Sequence, residues 1–283
     1  PTFEMVEAFE YQDGSEGKID IGQSFETTYE MFQGKDPRFL ASIYVPGSSL
    51  LGSTMQFQRG LILKDGSKYY AQSAPGPSYL LETYIDPETQ RKDTIFGKDG
   101  GTYTGDASKT GFNIRKFVNE NLKTEAQWDF GKTETSFPIF RLAEVYLNLA
   151  EAAVEMGKYQ TEAFEAIKKI RDRAGVVTPF AVVDVEKVRH ERQVELAFEG
   201  HRFWDMKRWR IAHLPVDQGG LNGFRGAGLH PFFDLRIRKY VFEVANDLPK
   251  RQRVFTEKNY YTKFSGNDMN SNPSLIQNPE FLN

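Results

Sequence analysis

Between Phe137 and Gly175 the chain reads FPIFRLAEVYLNLAEAAVEMGKYQTEAFEAIKKIRDRAG, a stretch whose period fits two helices joined by a tight turn. Ala143, Ala150 and Ala153 fall on one side of the first helix, where small side chains let a neighbour approach closely. In the second, Ala163, Phe164, Ala166, Ile167, Ile170 and Ala174 keep the i, i+3, i+4, i+7 spacing of a buried stripe. Pro138 stands where a first helical turn tolerates proline, the first helix is expected to end near Gly157, and Gly175 takes the C′ position of the second. The sequence therefore predicts a packed antiparallel hairpin.

The core of that stretch, AEAAVEMGKYQTEAFEAI, resembles the middle of a tetratricopeptide repeat. Such arrays need about three neighbouring units to bury their faces, so the partners of this unit are expected upstream of Pro1. Asp184 can cap a third helix, which apolar spacing carries to about Ile211. A glycine-rich stretch, DQGGLNGFRGAG, an extended piece around RKYVFEVAND and a non-periodic tail follow.

The first half has a different texture. Asp13-Gly14, Asp36-Pro37, Pro46-Gly47, Asp65-Gly66, Pro75-Gly76-Pro77, Asp86-Pro87 and Gly97 to Gly101 punctuate it with turns. Leu40 to Val45, Met55 to Leu63 and Lys68 to Ala71 read as short strands, and Ser24 to Phe32 reads as a helix. The expected organisation is a loop-rich region with short strands and ligand loops over residues 1–135, a helical scaffold over 136–213, and a loop-rich C-terminal segment packing on the helices over 214–283.

Composition closes several function classes. A net charge of -3 and a pI near 5.9 leave no basic footprint for nucleic acid. No run of about eighteen apolar residues is present to span a bilayer as a helix. Without cysteine there is neither thiol catalysis nor a zinc-thiolate site nor a disulfide. The chain begins at Pro1, with no initiating Met, signal peptide or lipidation cysteine, which points to a processed chain or a cut fragment.

The densest chemistry lies in RHERQVELAFEGHRFWDMKRWR, residues 189–210. Glu191, Glu195 and Glu199, four apart, share one side of a helix, where like charges repel and require neutralisation. Arg192, Arg202, Asp205 and Arg208 lie at i+3 steps, and Arg141, Arg171 and Arg173 of the hairpin can arrive from outside. The reading is a structural ion-pair helix. His190 with Glu191, or His201 with Asp205, lacks a third metal ligand and any HExxH arrangement. Three acids on one surface also cannot face each other across a sugar, as glycoside hydrolysis requires. No metal, cofactor, phosphate-loop, dinucleotide or nucleophile-elbow motif is found.

Several segments, in order along the whole chain, resemble the SusD/RagB family. PTFEMVEAFE resembles the start of that family's loop-rich half, GKDPRFLASIYVPG its Asn-Arg-Asp-Pro-Arg element, and KTGFNIRKF its Thr-Gly-Tyr and Lys-Phe element. FRLAEVYLNLAEA, IKKIRDRAGV and ERQVELAFEGHRFWDMKRW resemble its three helical signatures, and NPSLIQNPEF its closing segment. Lys35 stands where the family favours Arg, and Lys263-Phe264-Ser265 where it shows Pro-Ile-Pro. The resemblance implies a mainly α fold, a SusD-like tetratricopeptide-type helical scaffold with a loop-rich region carrying a few short β-strands. It implies no enzyme and no cofactor, but a cell-surface, outer-membrane lipoprotein that binds a glycan or other nutrient. Its partners would be a SusC-like TonB-dependent transporter and the chain's own N-terminal segment.

Ligand contacts vary among such proteins, so site residues must come from chemistry. A sugar needs an aromatic platform beside amide, carboxylate or guanidinium partners. Tyr44, Phe57, Tyr69, Tyr70, Tyr79 and Tyr84 lie among Gln56, Gln58, Arg59, Lys68 and Gln72, with Trp128 in another polar loop. Tyr69 and Tyr70 are the leading pair, because adjacent strand residues face opposite sides. Trp204 and Trp209 are expected in the core. Asp86, Glu88, Asp93, Asp99 and Asp106 are loop oxygen donors without EF-hand spacing, read as solvated turns. The rival readings are a tetratricopeptide-like interaction adaptor and a glycoside hydrolase.

Overall fold

The computed structural model describes residues 1–70, 83–100, 108–122, 135–246 and 252–281, and helix exceeds strand among them. The helices are α1 (Phe3–Ala8), α2 (Pro37–Ser42), α3 (Leu142–Glu155), α4 (Gln160–Ala174), α5 (Val185–Glu195), α6 (His201–Arg208) and α7 (Gly266–Ser271). The strands are β1 (Ser24–Phe25), β2 (Ile43–Tyr44), β3 (Ser49–Leu50), β4 (Ser53–Thr54), β5 (Gly60–Ile62), β6 (Lys68–Tyr69), β7 (Thr83–Ile85), β8 (Lys92–Thr94), β9 (Asn113–Ile114), β10 (Gly228–Asp234) and β11 (Lys239–Ala245). Two compact units result: Pro1–Glu199 with Gly226–Pro249, and Gly200–Arg225 with Lys250–Asn283. Among the described residues no helix is long and apolar enough to cross a membrane.

In the first unit, α3 and α4 form the hairpin that their periodicity requires. Leu147, Ala150, Ala153, Ala163, Ala166, Ile167 and Ile170 close an apolar cluster with Val183, Val188 and Leu196. Gly175 ends α4 at φ 73°, and its N–H donates to the Arg171 and Asp172 carbonyls. Pro138 lies ahead of α3 rather than in its first turn, because Arg141 is extended at the N-cap and sends its side chain away to Glu195 and Glu199. Leu142, Val145 and Leu149 form an exposed stripe on α3, and Phe137, Ile139 and Phe140 before it are exposed too. Ile167→Val is expected to cost about 1 kcal/mol in urea unfolding, since it removes one methylene from a fully buried position.

A five-stranded sheet, ordered β1-β11-β10-β5-β6, forms the other half of this unit. The β10–β11 hairpin is its centre, with Phe232 opposite Val241 and Phe233 opposite Tyr240. β5 runs parallel to β10, while β1 and β6 add antiparallel edges. Its core joins Phe3, Val6 and Phe9 to Phe32, Phe39, Phe112, Leu229 and Phe242. Lys35 is buried beneath α1, where its ammonium donates to the Val6, Phe9 and Gly17 carbonyls; burial pushes its pKa down to about 8.

Several local expectations give way to this pairing. Ser24 to Phe32 is not a helix: Ser24 and Phe25 pair with β11, leaving a single 3-10 turn at Glu30–Phe32. Leu40 to Val45 begins inside α2, which Asp36 caps by accepting the Arg38 N–H, with Pro37 in its first turn. Of Met55 to Leu63 only Gly60–Ile62 is strand, the length that matches β10.

The third helix stops early. α5 ends at Glu195, and Phe198 and Gly200 turn left-handed at φ 65° and 83° before α6 begins. Carbonyls freed by the break are taken by cations: Arg141 donates to the Glu195 oxygen at 2.7 Å and Lys116 to that of Ala197 at 3.0 Å. In the second unit Met206, Ala212 and Phe255 form a small apolar centre with Ile211, Leu221 and Tyr260.

Candidate functional site

The three glutamates of residues 191–199 are buried, and each meets cations from other segments of the first unit. Glu191 accepts from Arg38 at 2.5 Å and Arg171 at 2.9 Å. Glu195 accepts from Arg38 at 2.9 Å, Arg173 at 2.6 Å and Arg141. Glu199 accepts from Arg141 at 2.8 Å and from Lys116. Burial pushes the Glu195 and Glu199 carboxyls up. The hydrogen bonds and charges of Arg141, with Arg38 at Glu195 and Lys116 at Glu199, outweigh burial and hold both below the ordinary range. Arg192 turns to Asn148 at 2.8 Å and Glu144 at 3.5 Å, both on α3. In the second unit Arg208 pairs with Asp205 at 2.9 Å, the i+3 rung the spacing predicts.

This arrangement binds elements together and leaves no carboxylate pair facing a cleft. Among the described residues no group of three His, Asp or Glu is placed to hold a metal. His190 lies against the Ala8 carbonyl oxygen at 2.7 Å. Of the loop acids, Asp86 pairs with Lys64 at 3.0 Å and Asp93 with Arg238 at 2.7 Å, while Asp106 lies outside the described residues.

A cavity of about 570 Å³ opens elsewhere in the first unit. Its floor is the segment Met55–Gln58. On one side the Gly97 N–H donates to the Gln58 carbonyl and the Asp99 N–H to the Gln56 carbonyl, each at 2.9 Å. Asp99 returns its carboxylate to the Gln56 N–H at 2.8 Å, and the Gln58 amide donates to the Thr94 carbonyl at 2.7 Å. A Cβ at Gly97 would lie 2.1 Å from the Gln56 oxygen, so only glycine lets these backbones meet. On the other side Gly47, at φ 89°, brings the Pro46-Gly47 turn against Tyr29, and a Cβ there would come within 2.8 Å of the Tyr29 Cβ.

Two half-buried phenol rings, Tyr29 and Tyr240, line the space. Tyr240 is placed by the pairing of β11 with β1 opposite Phe25, and packs on Phe233 with centroids 5.0 Å apart. Burial raises its phenol pKa. Glu30 orders the adjoining loop by accepting the Glu26 N–H and the Thr27 hydroxyl, both at 3.0 Å. Thr27, Thr28, Thr54 and Thr94 add hydroxyls, Gln56 an exposed amide, and Glu26 a carboxylate paired with Lys239 at 3.0 Å. The set offers ring faces ringed by donors and acceptors, the complement of a polyol with apolar faces.

The candidates from sequence are scattered. Phe57, 1% exposed, lies on the cavity floor with Gln56 and Gln58. Tyr44 is 2% exposed, and its hydroxyl donates to Glu120 at 2.6 Å, so it has no ring face to offer. Tyr69 turns into an apolar cluster with Leu61 and packs tilted against Tyr84, centroids 5.6 Å apart. Tyr70 is 43% exposed and meets Phe232 edge-on at 5.8 Å, away from the cavity. Tyr79 and Trp128 lie outside the described residues. Trp204 corrects an expectation: it is 64% exposed, because Met206, two positions on, holds the inward face of α6. Trp209 is half-buried beneath the guanidinium groups of Arg208 and Arg202. Sequence reasoning does not reach Tyr29 and Tyr240, because one lies in a stretch whose pattern reads as helix and the other in a strand far downstream, paired with β1.

Comparison with known proteins adds a lineage. The model of the SusD family matches residues 1–281. Two proteins of Formosa agariphila are similar: SusD-like protein P2, 31% identical over 101 residues, 32% of this chain and 20% of that one; and SusD-like protein P25, 39% identical over 80 residues, 26% and 15%. A SusD-like protein from Bacteroides fragilis NCTC 9343 superposes with a TM-score of 0.62 at 26% identity, covering 99% of this chain and 46% of that one. A SusD-like carbohydrate binding protein of the same strain gives 0.61 at 24%, covering 98% and 48%, and shares the fold. The chain thus spans about half the length of these solved structures.

Proposed function

Because the chain belongs to the SusD family, we propose that it is a non-catalytic, cell-surface glycan-binding protein whose saccharide sits in the cavity between Tyr29, Gln56 and Tyr240. The observation that carries this reading is the meeting of two phenol rings with hydroxyl, amide and carboxylate groups in one space of about 570 Å³. That volume lies in the range of roughly 300–1,000 Å³ in which small ligands are held. A pyranose lays its C–H face on a ring and directs its hydroxyls to Thr27, Thr54, Gln56 and Glu26. Catalysis has no support from the buried glutamates, each of which is bonded to guanidinium or ammonium groups.

The α3–α4 hairpin is read as one tetratricopeptide-like unit, and the exposed stripe of Leu142, Val145 and Leu149 as the seat of further helices. Lipid anchoring at the outer membrane and delivery of the glycan to a SusC-like TonB-dependent transporter complete the role. The same stripe favours a second reading, an adaptor that binds a helical peptide and no saccharide.

Calorimetric titration against an oligosaccharide panel, with the mixtures assayed for released reducing ends, tests the choice. Binding without new ends is expected, and Tyr240→Ala should weaken it about tenfold, or ~1.4 kcal/mol, by removing one stacking face. New reducing ends would make the protein a hydrolase. Silence from every saccharide would move weight to the adaptor.

A further inference from the structure

We infer that the cavity selects uncharged saccharides over acidic ones and that Glu26 sets the preference. The inference rests on the glycan-binding reading and adds a substrate class to it. Glu26 is the charged side chain among the described residues that line the cavity; the other polar groups there are hydroxyls and amides. Its carboxylate stays reachable, with the Glu26 side chain 68% exposed and that of its partner Lys239 40% exposed.

A carboxylate is a good acceptor for sugar hydroxyls, because a charged acceptor strengthens the bond it receives. It is a poor neighbour for a uronate or a sulfate ester. An anion entering the cavity would lose water beside a like charge, and among the described residues the lining supplies no ammonium or guanidinium to receive it. Two cations next to lining residues are already engaged: Lys239 with Glu26 at 3.0 Å, and Lys98, next to Gly97, with Asp99 at 2.9 Å.

The test uses matched probes: cellohexaose, mannohexaose and maltohexaose, each beside the same oligosaccharide oxidised to the uronate at C6, titrated at low salt. At least one neutral member is expected to bind tenfold or more tighter than its oxidised form, with the ratio shrinking at 0.5 M salt as screening sets in. Glu26→Gln, an exposed substitution checked for an unchanged thermal midpoint, removes the carboxylate and frees Lys239. It should bring the ratio near one by raising uronate affinity. A wild-type protein that prefers the uronate, or a ratio that Glu26→Gln leaves unchanged, overturns the selectivity while the glycan reading stands. Binding of no probe, neutral or acidic, overturns both.

Discussion

Truncating Glu195 to alanine is expected to lower the stability of the first unit by about 3–5 kcal/mol in urea unfolding, the loss typical of a broken buried ion pair. Its side chain is 1% exposed and faces Arg38, Arg141 and Arg173 together. Arg38 and Arg141 are themselves largely buried, so removing the carboxylate leaves cations without water to replace it. Asp172→Asn supplies the contrast. That residue pairs with Lys168 one helical turn away in solvent, where such pairs contribute about 0.3–0.5 kcal/mol. Equal losses from the two substitutions would show that the buried charges do not organise the fold.

Acid is expected to act through the same groups. Glu195 and Glu199 have folded pKa values held below their ordinary value of 4.5, so the unfolded chain binds protons first as pH falls. Their contribution is complete above about pH 5 and is lost as pH drops through 4.5 toward the depressed folded values. The thermal midpoint should therefore be flat between pH 6 and 7 and fall steeply between pH 5 and 3. Glu195→Gln should start lower and fall less. A wild-type midpoint unchanged down to pH 3 would contradict the network.

The hairpin of α3 and α4 was legible because its alanine contacts and its closing glycine are local to the helices that use them. The break after Glu195 was not, because the side chains that take the freed carbonyls, Arg141 and Lys116, come from segments far back in the chain. The order of short motifs gave the family, which the match over residues 1–281 shows. The cavity was the least legible part. Tyr240 reaches it through the register of β11 with β1, and Gly47 and Gly97 read in sequence as ordinary turn residues. Their function, letting backbone meet backbone, exists only once the segments are assembled. Of the loop aromatics, Tyr44 and Phe57 are core and Tyr69 packs on Tyr84, while Tyr70 faces outward.

Hydroxyl-radical footprinting with and without a saturating neutral oligosaccharide, read residue by residue by mass spectrometry, locates the bound glycan. Glycan binding in the cavity predicts protection of Tyr29 and Tyr240, with Tyr70 and Trp204 oxidised as before. Protection at Tyr70 or Trp204 while Tyr29 and Tyr240 stay reactive would place the glycan elsewhere and contradict the site.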